Sequence, residues 1–153
     1  VAEDVAGQEG LFISLDQIRE FLLPHMKQMI DLVHENGAYV FHHSDGAPRA
    51  NLPQMVDAGI DVLEPVQWRC EGMDRQELKA EFGGEIAFMG AMDNQHTLVR
   101  GSVEEITQEV EDNIAILGKD GGYILGPCHN IQPVSDPADI VKMYDHAWEI
   151  GWY

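Results

Sequence analysis

Basic residues are scarce in this chain: nine Lys and Arg stand against 27 Asp and Glu, giving a formal charge of −18 over 153 residues. A surface that acidic repels phosphate backbones and anionic lipid, so nucleic acid and anionic membranes are excluded as partners. A polyanionic substrate would need a basic pocket supplied from outside these residues. Cysteine is sparse too. Cys70 and Cys128 are too few for a disulfide framework, and a reduced, cytoplasmic setting is the default. No run approaches the roughly 18 apolar residues of a membrane span. A glycine-rich phosphate loop, a Gly-x-Ser-x-Gly elbow and a dinucleotide fingerprint are all absent. The first residues hold neither an initiator Met nor a signal-peptide pattern. A start at Val1, inside Val-Ala-Glu-Asp-Val, reads as a beginning partway through a larger unit.

What is present is a globular composition, 44% hydrophobic, with a regular alternation of short apolar runs and helix-length segments. The runs are predicted as strands near residues 38–42, 61–65, 86–90 and 122–126, with a possible strand tail over Val1–Ala6 that ends at Glu3-Asp4. Short runs that are nearly all apolar read as parallel strands buried on both faces. Between them, Ser14 is read as the N-cap of a helix from about Leu15 to Asn36, kinked or divided at Pro24 and stopped by Gly37. Further helices are predicted over 52–58, 74–82, 103–117 and 137–149, the third opened by the capping box Ser102-Val103-Glu104-Glu105. A succession of βα units is either an open doubly wound sheet or part of a barrel. A closed barrel needs eight strands and about 250 residues. Four or five strands would leave apolar edges for a second copy or another chain to cover.

Each run ends in polar residues: His42-His43-Ser44-Asp45-Gly46, Glu64-Pro65-Val66-Gln67, Asp93-Asn94-Gln95 and Cys128-His129-Asn130-Ile131-Gln132. In parallel α/β folds chemistry gathers at the carboxyl ends of strands. His43 and Asp45, two residues apart in extended backbone, point the same way and can meet one ion, or simply hydrogen-bond to each other in a turn. Gly46 permits the tight turn. Cys128 or His129 offers a further ligand, and Cys, His and carboxylate together suit zinc with one position open. Glu64 is a ligand, a general base, or a structural carboxylate. His25, His34 and His146 fall within helices and read as packing or surface residues. His96 lies in the Asp93–Ser102 loop, Cys70 reads as incidental, and the seven Met read as core.

Several segments together resemble the C-terminal half of the uroporphyrinogen decarboxylase superfamily, which includes cobamide-dependent methyltransferases. They are Glu3-Asp4-Val5-Ala6-Gly7-Gln8, Phe41-His42-His43-Ser44-Asp45-Gly46, the stretch from Gly59 to Gln67, Leu78-Lys79 through Phe82-Gly83, Gly90-Ala91-Met92-Asp93, and Gly121 through Pro133. The resemblance spans nearly all of residues 1–153. It implies an α/β fold, the C-terminal half of a TIM (β/α)₈ barrel with parallel strands.

It also implies chemistry. In the methyltransferase branch zinc sits on an H-x-C pair and a distant Cys. By position these become His43 and Asp45, with Cys128 or His129 as the distal ligand; Asp45 in place of Cys makes the site harder. Expected catalytic residues are Glu64, Asp93 and His129, and Asp4, Gln8, Gln67 and Gln132 are expected to meet substrate. The implied activity is a zinc-dependent methyl transfer with a corrinoid protein or a small methylated compound as partner. The alternatives are metal-free decarboxylation of a porphyrinogen-like acid, or a non-catalytic half-barrel. A homo-oligomer, or pairing with a chain that carries the N-terminal half, is expected.

Overall fold

The computed structural model describes residues 2–152. Its first long helix starts where the sequence placed it. The Ser14 hydroxyl accepts from the Gln17 amide at 3.2 Å, and the Gln17 side chain accepts from the Ser14 N–H at 3.0 Å, closing a reciprocal capping box. The helix runs as α1 (Leu15–Gln17), a π-helical turn (Ile18–Leu22) and α2 (Leu23–Glu35). Pro24 does not divide it. The turn before Pro24 widens instead, with the Leu23 N–H donating to the Ile18 carbonyl, which makes room for a ring that clashes in a regular α-helix.

Ala2 pairs in parallel with His43, and the Glu3 N–H donates to the His43 carbonyl at 3.1 Å. The expected N-terminal strand tail is thus reduced to an isolated bridge at Ala2, and residues 3–5 form no strand; Val1 lies outside the described residues. A small antiparallel hairpin follows, β1 (Ala6–Gly7) and β2 (Gly10–Leu11), which the sequence pattern did not foretell. Four parallel strands form the main sheet in chain order: β3 (Phe41–His43), β4 (Val62–Val66), β5 (Ala87–Met92) and β6 (Tyr123–Pro127). They begin one to three residues later than the apolar runs, because pairing starts only at Phe41 opposite Val62.

The remaining helices are α3 (Leu52–Ala58), α4 (Arg75–Phe82), a one-turn α5 (Thr97–Arg100), α6 (Val103–Leu117) and α7 (Pro137–Ile150). The α5 turn replaces part of the loop expected after Asp93. Ser102 and Glu105 cap α6 reciprocally, as their spacing predicts. Strand alternation sends Leu63 and Phe88, both fully buried, toward the helices, where they join Met55, Leu78, Phe82 and Leu117 in the main core. A second cluster, Met92, Leu98, Ile106, Val110 and Met143, lies under α6 and α7.

The opposite face of the sheet leaves Phe41 and Ile124 exposed. Helices on one face only make this half of a barrel, since a doubly wound sheet is covered on both. Apolar residues also stand exposed on the outer helices, at Phe21, Met29 and Leu32 and at Val141, Tyr144 and Trp148. Among the described residues no helix is long and apolar enough to cross a membrane.

Glycine sets the curvature next to the site. At Gly90, φ is +102°, and a Cβ there would lie 3.1 Å from Pro65 and 3.3 Å from the Val66 nitrogen. The strands β4 and β5 shift register at this point. Just past β6, the Cys128 thiol donates across β5 to the Val66 carbonyl of β4 at 3.1 Å.

Candidate functional site

Four strand ends and the N-terminal segment converge on one side of the sheet. After β3 the chain turns sharply through Ser44, Asp45 and Gly46. Gly46 has φ of +83°, and a Cβ there would sit 2.5 Å from the Gly7 carbonyl oxygen. Only glycine lets this loop rest on the β1–β2 hairpin, where the Ala47 N–H donates to the same Gly7 oxygen at 2.8 Å. The turn brings the Asp45 N–H to the Asp4 carboxylate at 3.0 Å. Asp4, His43 and Asp45 then offer ligand atoms that all lie within 4.8 Å of one another.

His42 and His43 are adjacent, so they face opposite sides of the strand. His42 is fully buried against Glu3, its Nε2 at 3.0 Å from the carboxylate. His43 faces the site. Its Nδ1 lies 2.6 Å from Glu64 Oε2, and its Nε2 lies 3.7 Å from Asp45 Oδ2. Burial alone would lower the His43 pKa, but the Glu64 hydrogen bond and the charges of Glu64, Asp45 and Asp4 outweigh it and raise the imidazole above its ordinary value. Asp45 is also raised, by burial and by the charges of Asp4 and Glu64, against the lowering pull of His129 and His43.

His129, following β6, brings Nε2 to 3.4 Å from Asp45 Oδ2, with its ring 6.4 Å from that of His43. Cys128 does not join them. Its thiol is buried and bonded to Val66, and burial with the nearby charges of Asp93 and Glu109 pushes its pKa far above the ordinary thiol range. Of the two residues considered as the distal ligand, His129 is the one beside the cluster.

Asp93 lies directly after β5, where the sequence placed it. It is a buried anchor, ion-paired with Arg69 and with His96 Nδ1 at 2.9 Å, and it accepts from the Gln95 amide at 2.8 Å. Burial would raise its pKa, but the bonds from Gln95 and His96 and the Arg69 charge hold it below the usual carboxylate range. Such a group stays ionised and fixes the loop; it is poorly suited to proton transfer. His96 is spent on the same anchor.

The four predicted substrate residues divide. Gln8 and Gln132 line an open cleft of about 350 Å³, together with Asp45, Asn94, Gln95 and His129. Gln67 borders it, but its amide is engaged with the protein: it accepts from the Gly46 N–H at 2.6 Å and donates to Asp45 Oδ1 at 3.0 Å. Asp4 belongs to the His43–Asp45 cluster rather than to the cleft wall. Asn94 and Gln95 belong to the polar cluster the sequence places after this strand, but no role was expected of them individually. His34 and His146 bond to Asp61 and Glu111 at 2.8 and 3.0 Å, in the structural roles expected of them.

Comparison with known proteins places these residues in a family context. A sequence model of the family Uroporphyrinogen decarboxylase (URO-D) matches residues 4–150. Uroporphyrinogen decarboxylase of an Anaeromyxobacter species is 25% identical over 135 residues, covering 88% of this chain and 37% of the relative. That of Chlorobium limicola is 26% identical over 143 residues, covering 90% and 38%. The chain thus spans less than two-fifths of the curated relatives it matches. A solved methyltransferase from Methanosarcina mazei superposes with a TM-score of 0.76 at 21% identity, over 99% of this chain and 42% of the other. At that identity the likeness is one of fold, a TIM barrel shared in part.

Proposed function

This chain belongs to the uroporphyrinogen decarboxylase family, and from that premise we propose that it carries the metal-binding part of a zinc-dependent methyltransferase. Its methyl partner would be a corrinoid protein or a small methylated compound. The observation behind this reading is the Asp4–His43–Asp45 cluster, with its ligand atoms within 4.8 Å of one another and His129 beside it. Imidazole and carboxylate donors fit zinc, and would also take iron or manganese. With Cys128 turned away, the set is harder than a thiolate site.

Bound there, the metal supplies Lewis-acid chemistry, lowering the pKa of a nucleophile or polarising a leaving heteroatom. The chain's own residues prepare the place. Glu64 accepts from His43 Nδ1–H, which fixes the tautomer and leaves the Nε2 lone pair on the side of Asp45 and Asp4, where it could ligate the ion. Glu64 is then an orienting carboxylate rather than a ligand. The cleft beside the cluster is lined by amides, Asp45 and His129, with no Lys or Arg among its lining residues. A neutral or cationic polar molecule suits it better than a polycarboxylate.

A second reading, metal-free decarboxylation of a porphyrinogen-like acid, is favoured by the names of the curated relatives. In it the His43–Glu64 pair would serve proton transfer, and the basic groups for the substrate would come from the rest of the barrel. Elemental analysis separates the two. About one zinc per chain, with activity lost in chelator, supports the methyltransferase; full activity in chelator supports the decarboxylase.

A further inference from the structure

We propose that Gln67 is a positioning residue, an amide clamp that sets the Asp45 carboxylate and locks three strand ends together; the consequence for metal rests on the metal-site reading above. Gln67 directly follows β4. Its carboxamide has two hydrogens to donate and two lone pairs to accept with, and all four are engaged. Nε2 donates to Asp45 Oδ1 at 3.0 Å and to the Cys128 carbonyl at 3.3 Å. Oε1 accepts from the Gly46 N–H at 2.6 Å and from the Cys70 thiol at 3.8 Å.

A side chain with no free hydrogen-bonding group is not a substrate ligand. It is a tie between the loop after β3, the end of β4 and the end of β6. The last two are separated by β5 in the sheet, so no strand pairing joins them. One amide nevertheless reaches both sides of β5, and the Cys128 thiol on Val66 braces the same junction.

The effect on Asp45 is specific. Holding Oδ1 leaves Oδ2 as the oxygen turned to His43 at 3.7 Å and His129 at 3.4 Å. Partners that orient a ligand in this way commonly control metal affinity by about 10- to 100-fold. Loss of the clamp frees the carboxylate to rotate and loosens Gly46 on the hairpin.

The test uses cobalt(II) as the probe, because its visible spectrum reports ligand geometry, together with amide hydrogen exchange at Gly46. Gln67→Met keeps the length of the side chain and removes every hydrogen bond. It should weaken cobalt binding about 10-fold or more, change the visible spectrum, and speed Gly46 exchange by at least about 10-fold. Gln108→Met, on the exposed side of α6, should alter none of these. Gln67→Glu retains the acceptor for Gly46 but loses both donors. It should leave Gly46 protected while still changing the cobalt spectrum, and it serves if the Met variant does not fold. A Gln67→Met protein with a wild-type spectrum and wild-type Gly46 exchange overturns the clamp. Absence of cobalt binding by the wild-type protein would overturn the metal reading alone, and the clamp would then stand or fall on Gly46 exchange.

Discussion

His43 Nδ1 and Glu64 Oε2 stand 2.6 Å apart across the paired ends of β3 and β4. The parallel register sets His43 directly opposite Glu64, so the bond follows from strand pairing rather than from a flexible loop. It dictates which imidazole nitrogen faces Asp45.

Glu64→Gln keeps an acceptor but removes the charge. Zinc affinity should fall about 10- to 100-fold, as for other second-sphere partners of a ligating His, while the fold is retained. Calorimetric titration checks this. An unchanged affinity would mean that Glu64 does not orient the ligand.

Neither thiol should behave as a reactive cysteine. Cys128 is buried and pushed far above its ordinary pKa, and Cys70 is raised by burial and by the charges of Asp45 and Asp93. In the folded protein, labelling by a chromogenic disulfide reagent near pH 8 should be slow for both, becoming fast and complete on unfolding. Rapid native labelling of Cys128 would place its thiol in the open site after all.

Asp93 predicts a pH dependence whose sign is fixed. Its pKa is depressed in the fold, so the stability it contributes is present above its unfolded value, about 3.9, and is lost as pH falls through the folded value. Asp93→Asn should destabilise the protein by about 1–3 kcal/mol near neutrality. Urea titrations across pH should show the gap from wild type closing below about pH 4. A gap that does not vary with pH would contradict the account.

Gly46→Ala tests the turn that delivers Asp45. A φ of +83° and a Cβ placed 2.5 Å from the Gly7 oxygen should cost about 1–3 kcal/mol. Thermal melts should register that loss together with weakened metal binding. A variant as stable as wild type would show that the hairpin yields easily.

The sequence made the four strands, the Ser14 N-cap, the α6 capping box and the Gly46 turn legible, because apolar runs, a Ser before a helical run, Ser-x-x-Glu spacing and a glycine after His-Ser-Asp are local signals. The β1–β2 hairpin was not legible: strands of two residues each hold no periodicity to read. At the site, His43 and Asp45 were found from their i, i+2 spacing. That Asp4 would join them depends on the parallel bridge from Ala2 to His43, a contact across 41 positions that no local pattern encodes. Choosing between Cys128 and His129 required knowing which of two adjacent side chains faces inward. Alternation says that they differ but not which is which, and the bond from the Cys128 thiol to Val66 decides it. Gln67 was expected to meet substrate on the family resemblance; its hydrogen bonds to Gly46, Asp45, Cys128 and Cys70 join segments far apart in the chain and could be read only from the fold.

Isothermal titration of zinc into metal-free protein tests the central claim most directly, comparing wild type with His43→Ala and His25→Ala. His43 stands in the cluster with Asp4 and Asp45, whereas His25 lies exposed on α2. The account predicts one zinc per chain for wild type and His25→Ala with matching affinity, and a loss of at least about 10-fold for His43→Ala. Equal binding by the two variants, or no binding by wild type, would contradict it.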